Sequence, residues 1–285
     1  MDMLAFLFLP FVAGFVLTGI HAYLGVHVVE RGVIFVDLSL AQIAALGTTV
    51  ALLVGTDVHS GWSYVWSLGF TIIGAAIFAF ARVHRQTRVP QEAIIGIVYA
   101  VSAAASILVM SKASQETEHL KEMLVGNLLA VSWATVIKTA VLYALVGLFH
   151  YIFRRKFLAI TLNAHNGVAD EIPNVKLWDF LFYISFGFVV TWSVSIAGVL
   201  LVFSYLIVPS VAAMLFAESI GKRLAIGWTM AVLVTAIGIL LSFRLDLPTG
   251  ATIVCTFGLS LLLMGIAWAF TRRRALPVGF TPPTA

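Results

Sequence analysis

Charge is scarce in this chain. Asp, Glu, Lys and Arg make up 11% of its 285 residues, where an ordinary soluble domain carries about 25%. So few charges cannot solvate the surface of a chain this long, so lipid must cover much of the exterior. A hydrophobic content of 61% and a mean hydropathy of +1.04 agree. Cysteine is almost absent. Cys255 stands alone inside an apolar run, which excludes an intramolecular disulfide and a C-x-x-C metal motif and marks it as a small packing residue. No G-x-x-x-x-G-K-[ST] phosphate loop occurs, since Gly221-Lys222-Arg223 lacks both the earlier glycine and the hydroxyl; the chain is not an ATPase. H-E-x-x-H and G-x-S-x-G are missing too, so an intramembrane hydrolase is not expected. The net charge of +4 does not mark a nucleic-acid binder, because the basic residues lie between apolar runs and form no face interleaved with aromatics. Met1-Asp2-Met3 lacks the basic start of a cleaved signal peptide, and the first apolar run is expected to be a retained span.

What is present is a series of apolar runs. About 20 mainly apolar residues cross a bilayer as a helix. Such runs fall near 4–25, 32–54, 62–81, 93–111, 133–153, 179–197, 199–217, 224–243 and 250–270. The expected fold is all-α and polytopic, with about nine transmembrane helices (8–10). Residues 1–275 read as a single transmembrane domain and 276–285 as a disordered tail. The 179–217 stretch divides either as two spans with a tight turn near Ala197-Gly198, or as one long span and a broken one. Small residues recur every fourth position at Gly96, Ala100 and Ala104, and at Ala41 and Ala45, a helix-packing signal in lipid.

The basic residues separate by side. Arg31, Arg82, Arg85, Arg88, Arg154, Arg155, Lys156, Lys176, Lys222, Arg223 and Arg272 to Arg274 fall on one set of alternate loops. Only Lys112, Lys121, Lys138 and Arg244 fall on the other. The positive-inside rule makes the first set cytoplasmic, with the N-terminus outside and the C-terminus inside. One cytoplasmic loop, 154–179, is long and polar and carries the turn signals Asn163, Asn166-Gly167 and Pro173-Asn174. Short helices over 157–178, lying on the cytoplasmic face, are expected, either as a docking surface or as a plain connector.

Ionisable residues inside spans are costly and are functional candidates. Asp37 lies about six residues past Arg31 in the second span, ~9 Å along a helix. Its alternative role is a carboxylate reaching back to Arg31 or capping backbone. Gln42 follows near mid-span. His21 sits in the first span, at a depth similar to Asp37 if the two helices are antiparallel neighbours; its alternative role is a hydrogen-bonded core histidine.

Several segments together resemble the permease subunits of the zinc/manganese/iron-type metal ABC importers. They are Phe35-Val36-Asp37-Leu38-Ser39-Leu40-Ala41-Gln42, Glu92-Ala93-Ile94-Ile95-Gly96-Ile97 and Leu124-Val125-Gly126-Asn127-Leu128-Leu129-Ala130-Val131-Ser132. Ala197-Gly198-Val199-Leu200-Leu201-Val202 with Leu206-Ile207-Val208-Pro209-Ser210, and Asp246-Leu247-Pro248-Thr249-Gly250, complete the set. They keep family order over nearly the whole chain. The resemblance implies a homodimeric permease core in the bacterial inner membrane that passes a divalent metal (zinc, manganese or iron) from an extracytoplasmic metal-binding protein. It implies two cytoplasmic ABC ATPases holding the ATP, no tightly bound cofactor on this chain, and ATPase coupling through 154–179, with Asn163, His165, Asn166, Gly167, Asp170 and Glu171 as the candidate contacts. Where the family has an aspartate and a histidine four residues apart, this chain has Asp37 and Gln42, five apart. Five residues leave two side chains ~140° apart on a regular helix. A π-bulge between them would return both to one face, so the expected path residues are Asp37 as metal ligand with Ser39, Gln42 and His21. Asp246 is expected to cap the last helix. The alternatives are an ABC permease for another small solute, and a stand-alone channel or secondary transporter.

Overall fold

The computed structural model describes residues 3–57, 60–82, 89–111, 126, 128–164 and 168–275. Apolar runs fold as helices in lipid because only a helix satisfies its own backbone there. Ten α-helices appear among these residues: α1 Met3–Arg31, α2 Val36–Leu53, α3 Gly61–Phe80, α4 Gln91–Met110, α5 Trp133–Ile152, α6 Arg154–Leu162, α7 Val175–Ala197, α8 Val199–Phe216, α9 Ile220–Leu245 and α10 Thr249–Ala275. All but α6 are long and apolar enough to span a membrane. The expected spans recur in order. The first and eighth run several residues longer at the basic end, and the sixth starts four residues earlier. The 179–217 stretch divides by the tight turn, with Gly198 alone between α7 and α8.

Two bundles share the interior. The first joins α1 to α8, α9 and α5, and the second joins α2 to α3, α4 and α7. Contacts of α7 and α8 with each other and with α2 tie the two together, whereas α10, α4 and α5 leave most of their surface outward. Gly96, Ala100 and Ala104 belong to that outward surface: a Cβ on Gly96 would meet nothing within 4 Å, and both alanines are exposed. Among the described residues, that small-residue stripe therefore packs against no helix.

The turn after α1 decides where Asp37 sits. Gly32 takes φ 65°, a conformation that costs a side-chain-bearing residue ~1–2 kcal/mol. Its N–H bonds Val29 O at 3.1 Å, and the Val33 N–H bonds Val28 O at 3.2 Å. This paired closure satisfies the last carbonyls of α1, and buried Val28 and Val33 seal it. Chain direction then reverses within four residues, and Asp37 enters the first turn of α2. At the opposite end, Gly126 (φ 63°) lies against the α7–α8 turn. A Cβ there would come within 2.2 Å of Ala197 C, so two of the family-like segments meet backbone to backbone.

Candidate functional site

Helix α2 is a regular α-helix from Val36 to Leu53, without a π-turn. The expected bulge is absent, and its absence separates the expected path residues. Ser39 donates to Ile95 O of α4 at 3.2 Å, and Gln42 Nε2 donates to Ser106 Oγ of α4 at 3.4 Å. Both face α4. The regular helix needs no insertion there because α4 offers each of them a hydrogen-bond partner. Asp37 points elsewhere. Positions four, seven and eleven beyond it are Ala41, Ala44 and Thr48, which share its face. These three line a cavity of about 600 Å³ between α2, α3, α5 and α7, at the end of the bundle remote from Arg31. Ser67, Lys138 and Thr191 also line it. Asp37 thus continues the cavity stripe one turn inward.

Its environment is sparse. Asp37 is 1% exposed, Oδ1 has no hydrogen-bond partner, and its carboxylate bonds nothing among the described residues. Both structural alternatives fail. Arg31 does not reach it, because its guanidinium is taken by Asp179 at 2.9 Å. The backbone cap of α2 comes instead from Glu92, whose Oε1 accepts the Phe35 N–H at 3.0 Å. Burying a charged or polar group without a partner is expensive, so Asp37 stands out as a group held ready for something else.

His21 occupies the other bundle. Helices α1 and α2 are not packing neighbours, so the antiparallel pairing that would set His21 beside Asp37 does not occur. Tyr143 of α5 stands beside His21 instead: its ring lies 5.9 Å from the His21 ring in an edge-on arrangement. The Tyr143 hydroxyl is hydrogen-bonded to Ser193 of α7. Sequence reasoning missed Tyr143, since one tyrosine in an apolar span carries no signal by itself.

A second polar cluster lies at the basic end. Arg31 donates through Nε to Thr161 Oγ1 of α6 at 2.9 Å, and its guanidinium sits 4.0 Å above the Phe182 ring. The second Asp179 oxygen accepts from Arg82, just past the end of α3. His27 Nδ1 meets Thr161 Oγ1 at 2.7 Å, and His150 Nε2 meets Ser185 Oγ at 2.8 Å while its ring stacks on Phe157. Arg223 of α9 pairs with Glu30 of α1. The ends of α1 and α3 and the starts of α7 and α9 therefore lie on one face of the molecule, as the charge pattern required. A sequence signal existed for this cluster: Asp179 is a carboxylate at the edge of an expected span, and His27 and Arg31 share a helix face.

The 154–179 loop is built of α6 and a single turn, Val168–Glu171. Phe157, Ile160 and Thr161 point inward from α6, while Ile160, Ala169 and Val175 form a small core of their own. Asn163 closes α6 by donating to Ala159 O at 2.8 Å. Asp170 and Glu171 lie in the turn, with Glu171 exposed; His165, Asn166 and Gly167 lie outside the described residues. At the far end of the chain Asp246 does not cap α10. It takes φ 52° as the left-handed residue closing α9, and beside α10 the Ser242 hydroxyl is hydrogen-bonded to Thr249 Oγ1 at 2.7 Å.

The pattern of the ABC 3 transport family matches residues 3–268. The chain belongs to that family. Its relatives agree. It is 27% identical over 260 residues, 87% of this chain and 88% of the other, to the Listeria monocytogenes "Manganese transport system membrane protein MntC". It is 30% identical over 169 residues to the Haemophilus influenzae "Probable iron transport system membrane protein", a match spanning 59% of this chain and 61% of that one. Among solved structures, PsaBC from Streptococcus pneumoniae, in complex with Fab, superposes with a TM-score of 0.73 at 20% identity, covering 91% of this chain and 90% of that one. The family match thus spans residues 3–268, and the described residues are all-α with nine helices able to span a membrane. This ABC 3 family member is a membrane permease subunit, not an enzyme.

Proposed function

We propose that this ABC 3 permease carries a divalent metal ion of the zinc, manganese or iron class across the bacterial inner membrane, driven by a separate ATPase. One observation carries the reading: a buried carboxylate without a partner, Asp37, extends the face of α2 that lines the outer cavity. A passing cation supplies what that carboxylate lacks. The names borne by the relatives, manganese and iron transport membrane proteins, support the same substrate class.

The remaining parts of the proposal are those the family resemblance implies. The 154–179 loop docks the cytoplasmic ATPase, and Arg31 and Thr161 link its helix α6 to α1 and α7. An extracytoplasmic metal-binding protein delivers the ion at the cavity end, and a second permease copy completes the core. The basic end faces the cytoplasm, which sets the N-terminus outside and the C-terminus inside.

A second reading, a permease of this fold for another small solute, is favoured by Lys138. It places a cation among a cavity lining otherwise rich in hydroxyls. Elemental content of cells with and without the gene, across manganese, iron, zinc, cobalt and magnesium, separates the two. The metal reading expects one transition metal to fall in the deletion strain and to recover on complementation. Unchanged content of every metal under limitation would refute it.

A further inference from the structure

Helix α6 of the 154–179 loop is keyed to the spans by two side chains on one face. Phe157 and Thr161, four residues apart, stand one turn above the other, and both are buried. The Phe157 ring stacks on His150 of α5 at 4.5 Å and lies edge-on to Trp178 of α7 at 5.9 Å. Thr161 Oγ1 lies 2.9 Å from Arg31 Nε and 2.7 Å from His27 Nδ1. A guanidinium only donates, so the Thr161 oxygen accepts from Arg31. No other acceptor meets the Thr161 hydroxyl among the described residues, so its proton goes to His27 Nδ1. One hydroxyl thus accepts from one α1 side chain and donates to another a turn away. Arg31 carries the contact onward to α7, through the ion pair with Asp179 at 2.9 Å and the Phe182 ring 4.0 Å from its guanidinium. Helices α1 and α7 belong to different bundles.

We propose that Thr161 is a positioning residue for ATP-driven transport: its hydroxyl holds α6 in register with Arg31 and His27, so that a displaced loop carries the Arg31–Asp179 joint with it. The proposal rests on the metal-permease reading, in which the loop docks the ATPase, and names the side chain that links docking to the two bundles. Phe157 cannot do this alone. Apolar packing is non-directional and tolerates sliding, whereas a hydrogen bond weakens steeply once its angle is lost. Two bonds on one oxygen therefore fix both the depth and the rotation of α6. All three side chains are withdrawn from solvent, Thr161 and His27 at 1% exposure and Arg31 at 4%. Removing the hydroxyl therefore leaves a buried donor and a buried acceptor unpaired, which is costlier than losing the same bonds at a surface.

The test uses the complete importer, with its ATPase and binding protein, in liposomes. ATP hydrolysis and uptake of radioactive manganese, zinc or iron, each alone as the probe, are followed in the same vesicles. Thr161→Val keeps the shape of the side chain and removes the hydroxyl. At equal permease incorporation and equal ATPase binding it should keep ATP hydrolysis and lower the ions moved per ATP by about tenfold or more, the fold-change expected of one to two buried hydrogen bonds. Thr161→Ser should restore the wild-type ratio. If Thr161→Val does not insert, Arg31→Lys decides by the same ratio, because a lysine can face Asp179 but has no second branch for Thr161. A wild-type ratio in the inserted variant overturns the proposal. So does a parallel fall in hydrolysis and uptake, which marks a plain anchor, and so does failure of the serine to rescue. In each of these cases metal uptake by the wild type leaves the permease reading standing. A wild-type importer that hydrolyses ATP and takes up none of the three metals refutes both.

Discussion

Asp37 brings a carboxylate into the bundle without a cation or a hydrogen-bond donor beside it among the described residues. Gln42, five residues on, is settled against Ser106. The two therefore differ in kind, although the sequence makes them look like a pair. Gln42→His should leave metal preference unchanged, because the new imidazole would face α4 and not the cavity stripe. Uptake ratios for manganese, zinc and iron check this, and a shift toward any one metal would return Gln42 to the path. Asp37 and His21 were legible as costly polar residues inside spans. The helix face each occupies was not, because it depends on whether α2 is regular, and that depends on partners from α4. Asp246 misled for a related reason. Its place before Pro248 suggests a helix start, but the left-handed closure of α9 claims it first.

At the scale of elements, apolar run length gave the spans and turn residues gave their ends. Gly198 marks a real boundary, whereas Gly32, inside the expected second run, closes α1 instead, and the tertiary joints were hidden. Three segments meet on one carboxylate: Asp179 of α7 takes Arg31 of α1 and Arg82, two residues beyond the end of α3. The Arg31 side chain is 4% exposed and that of Asp179 1%. Breaking a buried ion pair by removing one partner costs about 3–5 kcal/mol. Asp179→Asn should therefore lower thermal stability in detergent clearly, by an amount of that order. A melting temperature within a degree of wild type would show that the joint does not hold the basic end together. The same joint reaches α6 through Thr161.

At the scale of the molecule, a polar face rich in arginine and the cavity between α2, α3, α5 and α7 lie at opposite ends. The loop that would meet an ATPase has its own small core, so excising 163–173 would unseat that core along with the docking surface. Replacing the exposed Val168 and Glu171 is cleaner. Val168→Asp with Glu171→Lys should leave insertion intact and reduce co-purification of the ATPase; full recovery of the complex would place docking elsewhere. The central claim is that a metal passes Asp37. Uptake of radioactive manganese, zinc and iron by cells carrying the complete importer, with wild-type permease or Asp37→Asn at equal membrane abundance, tests it most directly. The account predicts accumulation of at least one metal by the wild type and a loss of about tenfold or more in the variant, roughly the ~1.4 kcal/mol of one lost ligand interaction or greater. Wild-type rates from Asp37→Asn, or no metal accumulated by either, would contradict it.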